Sequence, residues 1–149
     1  MELKAYINYN KDFDDKFRYD KKDLGAICSK EGTSFKVWCP IATIVELHLY
    51  QSGEAEECTT YQMIPDVNGT WYWKSDENLH GTYYDFSVTR EGDVIRTADP
   101  YAIGCGCNGI RSMVVDLSQT NPEGFENDKA PEQPKETIIY ELHIKDFSH

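Results

Sequence analysis

The sequence is poor in positive charge. Its 15 Lys and Arg stand against 26 Asp and Glu, a formal net charge of −11. A polyphosphate is repelled by that balance, which argues against nucleic-acid binding, whereas a neutral ligand such as a glycan incurs no penalty. No apolar run approaches the ~20 residues that span a bilayer, so no membrane partner is expected. The opening stretch, MELKAYINYNKDFDD, holds no apolar segment of signal-peptide length. Cysteine is sparse and unpatterned: five residues (Cys28, Cys39, Cys58, Cys105, Cys107), with no CxxC pair and no His at zinc-site spacing. No metal and no cofactor is implied. The one close pair, Cys105-Gly-Cys107, reads as small, buried, reduced thiols. Together these absences point to a reducing cytoplasm, with secretion after loss of a leader as the alternative.

Helical periodicity is also missing. Residues 1–22 are dense in charge and aromatic rings without a sustained 3.6 period, and read as an N-terminal arm that packs on something else. The remainder of the 149 residues, 40% hydrophobic and 13% aromatic overall, suffices for one domain with a core. From residue 23 to 117 the pattern is short alternating runs broken by turn signals. Thr33–Trp38 sets Phe35 and Val37 on one side; Ile44–Tyr50 sets Val45, Leu47 and Leu49 together; Thr82–Thr89 aligns Tyr84, Phe86 and Val88. Thr70–Trp73, Val94–Arg96 and Arg111–Leu117 are further runs. Short strands with no intervening helix predict an all-β fold, an antiparallel β-sandwich. Residues 118–136 hold Pro122, Pro131, Pro134 and Gly124 and read as a linker. Residues 137–149 alternate again, with Ile138, Tyr140, Leu142 and Ile144 opposite Glu141, His143 and Lys145, the period of a strand whose apolar side needs covering.

Candidate chemistry is limited. Trp71 and Trp73 sit two apart and share one face of their strand, with Tyr72 opposite. Facing outward they would form a flat platform for the apolar side of a pyranose; facing inward they are core. Trp38 fits a core or interface position. His48 falls on the polar side of its strand, where a hydrogen-bonded role is expected. Glu54-Ala-Glu-Glu57 reads as a solvated loop, and Asp99-Pro-Tyr101 as a rigid turn that fixes strand order.

A set of motifs in fixed order carries a family resemblance. FKVWCP (35–40), VELHLY (45–50), GTW (69–71), GTYY (81–84), DPYA (99–102), NGIRSMVVDL (108–117) and YELHIKDFS (140–148) follow one another as in type I pullulanases of glycoside hydrolase family 13. The resemblance spans residues 19 to 148. It implies that residues 23–117 are an immunoglobulin-like sandwich of the early-set type, similar to carbohydrate-binding module family 48. It also implies that 137–149 is the first strand of a (β/α)8 catalytic barrel. Glu141, His143 and Lys145 would then point into the barrel lumen. The resemblance further implies a starch or glycogen debranching enzyme as the parent, hydrolysing α-1,6 bonds with retention. No catalytic residue falls within this chain, because the family's catalytic carboxylates lie on later barrel strands, and a retaining glycosidase needs two carboxyl groups about 5–5.5 Å apart. The expected partners are the barrel itself and an α-glucan. A free-standing glucan-binding or protein-interaction module of immunoglobulin-like fold is the competing reading. An orphaned barrel strand is expected to pair with a sandwich edge or to be poorly ordered, not to stand as an isolated strand.

Overall fold

The structure, a computed structural model, describes residues 11–130, 132, 136 and 138–148. The chain divides into two compact units, Met1–Gln119 and Thr120–His149. The first unit is an immunoglobulin-like sandwich of two antiparallel sheets. One sheet runs in the order β1 (Gly25–Ser29), β2 (Gly32–Trp38), β6 (Thr70–Ser75), β5 (Ile64–Pro65). The other runs β4 (Thr59–Gln62), β3 (Ile44–Tyr50), β7 (Tyr83–Arg90), β10 (Ser112–Met113), β9 (Gly104–Cys105), with β8 (Asp93–Thr97) also paired to β7.

Period-two alternation selects the inner faces. Phe35 and Val37 of β2 meet Val45 and Leu47 of β3, Tyr84 and Phe86 of β7, and Val114 beyond β10, all buried. The Phe35 ring meets the edge of Tyr84 with centroids 5.0 Å apart, which joins the two sheets. Burying a side chain such as Phe35 contributes about 2–3 kcal/mol. Two glycines make close approaches that a Cβ would block. Gly32 lies at φ +134° with the Ser75 carbonyl 2.4 Å from where a Cβ would sit, so the β1–β2 hairpin can bring the start of β2 alongside β6 only through glycine there. At Gly69, φ +77°, an added Cβ would likewise fall 2.4 Å from the Pro40 Cβ.

Helix α1 (Lys11–Phe17) opens the described part of the N-terminal arm, residues 11–22, and sequence periodicity did not anticipate it. It is held by tertiary contacts, as expected of so short a helix. The Phe13 and Phe17 rings meet at a tilt with centroids 4.8 Å apart, Phe13 meets Trp38 edge-on at 6.5 Å, and the Trp38 indole donates to the Phe17 carbonyl at 2.8 Å. Asn68 Nδ2 donates to the Arg18 carbonyl at 2.8 Å. Trp38 is thus an interface residue, joining arm to sandwich. Residues 1–10 of the arm lie outside the described residues.

One expectation fails. Cys105 and Cys107 are exposed free thiols, not buried ones: Cys105 ends the edge strand β9, and Cys107 opens the surface turn that passes through Asn108 at φ 57°. In the second unit, no strand forms over 138–148: residues 138–143 are extended or irregular, and Ile144–Phe147 make a single helical turn, α2. A strand exists only where a neighbour completes its ladder. No described residue pairs with this segment, so its alternation has nothing to act on, and local bonds such as Ser148 N–H to the Ile144 carbonyl at 3.0 Å take over. Neither edge addition nor an isolated strand is observed.

Candidate functional site

The outward face of β3, β7 and β8 holds a concentration of polar groups unusual for an exterior sheet surface. On β3, Glu46, His48 and Tyr50 alternate outward between Val45, Leu47 and Leu49. Opposite them β7 presents Asp85 and Ser87, in register His48↔Asp85 and Glu46↔Ser87. The β7–β8 hairpin, turning through Glu91 and Gly92 at positive φ, brings Arg96 opposite Ser87 and diagonal to Asp85. Tyr50, His48, Asp85 and Ser87 are all buried although they sit on the outer side.

Their hydrogen bonds are complete. Tyr50 Oη donates to Asp85 Oδ2 at 3.0 Å, and Arg96 Nε donates to both Asp85 oxygens at 3.1 Å. Arg96 Nη2 also donates to Tyr50 Oη. The Arg111 guanidinium lies 3.6 Å from the centre of the Tyr50 ring and donates to the Gly53 carbonyl at 2.9 Å. His48 bridges Thr60 Oγ1 at 2.8 Å and Ser87 Oγ at 2.7 Å. Burial, together with the adjacent Asp85 carboxylate, pushes the Tyr50 phenol up to about 12. Burial and the nearby Arg96 charge push His48 below its ordinary value. At neutral pH this surface therefore carries a neutral Tyr50 and a neutral His48 around an Asp85–Arg96 ion pair. Over the network opens a hollow of about 690 Å3, rimmed by Glu56, Ala98 and Ile110.

The chemistry available is recognition without bond-making. A half-exposed guanidinium is fixed in place: Asp85 takes Nε, Tyr50 and Cys58 take Nη2, and the Nη1 donors are left to meet a ligand oxygen. Both signs of charge are present, which suits a neutral polyhydroxyl ligand. His48 is within hydrogen-bond reach of the Ser87 and Thr60 hydroxyls, but none of the three lines the hollow, and among the described residues no group of three or more His, Cys, Asp or Glu is placed to hold a metal.

The residues singled out in the sequence lie elsewhere. Trp71 points inward, paired with Val37, with its indole donating to the Cys39 carbonyl at 3.1 Å. Trp73 is half-buried, paired with Phe35 and packed on the core, with the Tyr61 ring 4.4 Å away. The two indoles therefore do not form an exposed platform; β2 pairs with β6 so that the tryptophans join the inner face. Glu141, His143 and Lys145 are exposed in the second unit; His143 caps α2 and its Nδ1 lies 3.5 Å from Asp146 Oδ2. Asp99 is buried and accepts the Tyr84 hydroxyl at 2.7 Å, while its N–H donates to Ser112 Oγ at 2.8 Å. The hollow itself escaped sequence reasoning. Its one local sign is Asp85, a carboxylate set between Tyr84 and Phe86 in an otherwise aromatic strand. Pairing it with Arg96 requires knowing the β7–β8 register.

Comparison with known proteins places the fold. Chain relatives include the pullulanase of Bacillus subtilis (strain 168), 33% identical over 139 residues that are 91% of this chain and 18% of that protein. The pullulanase of Klebsiella aerogenes is 31% identical over 146 residues, 88% of this chain and 13% of that protein. Among solved structures, pullulanase from Bacillus acidopullulyticus superposes with a TM-score of 0.76 at 39% identity, covering 89% of this chain and 16% of that one. Pullulanase from Paenibacillus barengoltzii in complex with maltohexaose and alpha-cyclodextrin gives 0.77 at 35% identity, covering 85% and 20%. The chain thus spans a fifth or less of the length of these relatives. Residues 23–102, which contain β1 through β8, match the model of carbohydrate-binding module 48 (isoamylase N-terminal domain), and the chain belongs to that family.

Proposed function

We propose that this chain is the accessory sandwich of a pullulanase-type enzyme that hydrolyses α-1,6 bonds in starch or glycogen, and that it holds α-glucan in the hollow over Tyr50, Asp85 and Arg96. The carrying observation is the Arg96–Asp85 pair: a guanidinium locked in plane by a buried carboxylate, facing open space, in a module of a carbohydrate-binding family. Sugar hydroxyls both donate and accept, so Arg96 as donor and the rim Glu56 as acceptor offer them both complements. The side of Ile110, 68% exposed at the lip, supplies apolar surface for a pyranose face. Tyr50 does not stack on sugar, since Arg111 already covers its ring.

Support for the parent activity comes from the pullulanase relatives at 31–33% identity. The coding sequence downstream of residue 149 tests it. About 450–550 further residues containing a barrel with two facing carboxylates support the assignment; a reading frame that stops at His149 sinks it. The hollow is tested by nuclear magnetic resonance titration with maltoheptaose. The Arg96 Nε–H signal is expected to shift on saturation, and an unmoved signal excludes the hollow as the site.

A further inference from the structure

The opposite sheet carries a second recognisable surface. On the outer face of β1, β2, β5 and β6, the side chains left out of the core are Ile27, Ser34, Lys36, Ile64, Tyr72 and Lys74. Register sets them in two rows: Ile64 beside Tyr72 beside Lys36, and Lys74 beside Ser34 beside Ile27. Two hollows of about 480 and 230 Å3 open on this face, and both are lined by Ser34 and Tyr72. They adjoin across Ser34 and Tyr72, and together make a groove-like strip along the sheet. Across four strands its length is about 14 Å, the span of a short oligosaccharide.

The groove is pre-formed around Lys36. Its ammonium reaches Asp23 at 2.9 Å, Asp66 at 3.1 Å and the Tyr19 hydroxyl at 3.2 Å, and lies 5.4 Å from the centre of the Tyr72 ring. Burial works against that charge, but the hydrogen bonds Lys36 donates to Asp23, Tyr19 and Asp66 outweigh it and raise the Lys36 pKa. With Lys36 held by two carboxylates, Tyr72 is fixed against a rigid cation rather than a mobile one. The floor is apolar and open: Ile64 is 65% and Ile27 46% exposed. Lys36 and Lys74 face Asp23, Asp66 and Glu31 at the margins, two cations against three carboxylates, so the strip carries both signs and does not favour an anion.

A half-buried aromatic ring, flanked by exposed aliphatic side chains and a rim of both charge signs, is complementary to a neutral pyranose chain. We propose that this groove is a second α-glucan-binding surface centred on Tyr72. It takes only its ligand class from the proposed function and shares no residue with the hollow at Arg96. Because the two surfaces lie on opposite faces of the sandwich, one short oligosaccharide cannot occupy both. A branched polymer can, which makes the module a bivalent holder of two glucan segments.

The test uses the 149-residue chain and four variants: Tyr72→Ala, Ile27→Asp, Arg96→Ala and the double variant Tyr72→Ala/Arg96→Ala. Maltoheptaose is titrated by calorimetry and by amide chemical shifts, with thermal melting to confirm folding. The expected result is two sites in the unaltered chain and one in each of Tyr72→Ala and Arg96→Ala, with binding at least tenfold weaker in the double variant. Ile27→Asp, at an exposed position, is expected to weaken the sheet-face site alone and stands in if Tyr72→Ala does not fold. If Arg96→Ala removes all binding while Tyr72→Ala and Ile27→Asp change nothing, the second surface is overturned and the hollow stands. If Tyr72→Ala removes all binding while Arg96→Ala changes nothing, the groove stands and the hollow falls. Absence of any binding overturns both.

Discussion

Replacing Trp71 by Ala separates core from binding platform most sharply. Trp71 is 6% exposed, packs within the cluster of Phe35, Val37 and Tyr84, and donates its indole N–H to the Cys39 carbonyl at 3.1 Å. Truncating a buried tryptophan costs about 3–5 kcal/mol, including the cavity left behind. The freed Cys39 carbonyl adds to the cost only if water fails to reach it. At roughly 4 °C per kcal/mol for a domain of this size, the melting temperature should fall by on the order of 10–20 °C. Circular dichroism melts give the shift, and maltoheptaose titration at low temperature, where the variant is still folded, gives the affinity. The expected pattern is a large loss of stability with affinity preserved. A variant that melts within 2 °C or so of the unaltered chain but no longer binds glucan would show Trp71 to be a stacking residue and the inward placement to be wrong.

Other consequences follow from single contacts. Asp99→Ala leaves the fully buried Tyr84 hydroxyl without its acceptor and is expected to cost about 1–3 kcal/mol in urea denaturation, whereas Asp99→Asn, which still offers an oxygen, should cost less. His48 is held neutral by burial and by Arg96, so its folded pKa lies below its unfolded value of 6.5. The unfolded chain then binds the proton first, and stability falls as pH drops below 6.5; His48→Gln should show a flatter decline in melting temperature between pH 7 and 5, and an unchanged slope would remove His48 from that balance. Trp38→Phe deletes the indole donor to the Phe17 carbonyl, and should increase proteolytic cleavage within residues 11–22 while leaving the melting of the sandwich nearly unchanged.

The strands with clean alternation were legible because their inner faces are nearly all apolar: Phe35 and Val37, Val45 and Leu47, Tyr84 and Phe86. The side chosen by Trp71 and Trp73 was not, since period two says that both share a face without saying which. Cross-strand register decides it, because β6 pairs Trp73 with Phe35 and Trp71 with Val37. That information lies in the pairing partner, about 35 residues away in sequence. Short edge elements such as β4, β5 and β9 were missed for a related reason: their side chains are largely exposed, so no hydrophobic pattern marks them. Helix α1 is too brief to show a period and exists through Phe13, Phe17 and Trp38. The alternating segment from Ile138 shows the converse. Its pattern is that of a strand, yet the pattern fixes only which side would be buried, and the ladder must come from elsewhere. The hollow at Tyr50 needed three strands in register before its charges met, and it lay beyond any local motif.

Whether the module holds α-glucan is decided most directly by native electrophoresis of the 149-residue chain through gels with and without amylopectin. Retardation in amylopectin, absent in an equal concentration of hydroxyethyl cellulose, is the predicted result. Equal mobility in the amylopectin and plain gels would contradict glucan binding by either face of the sandwich.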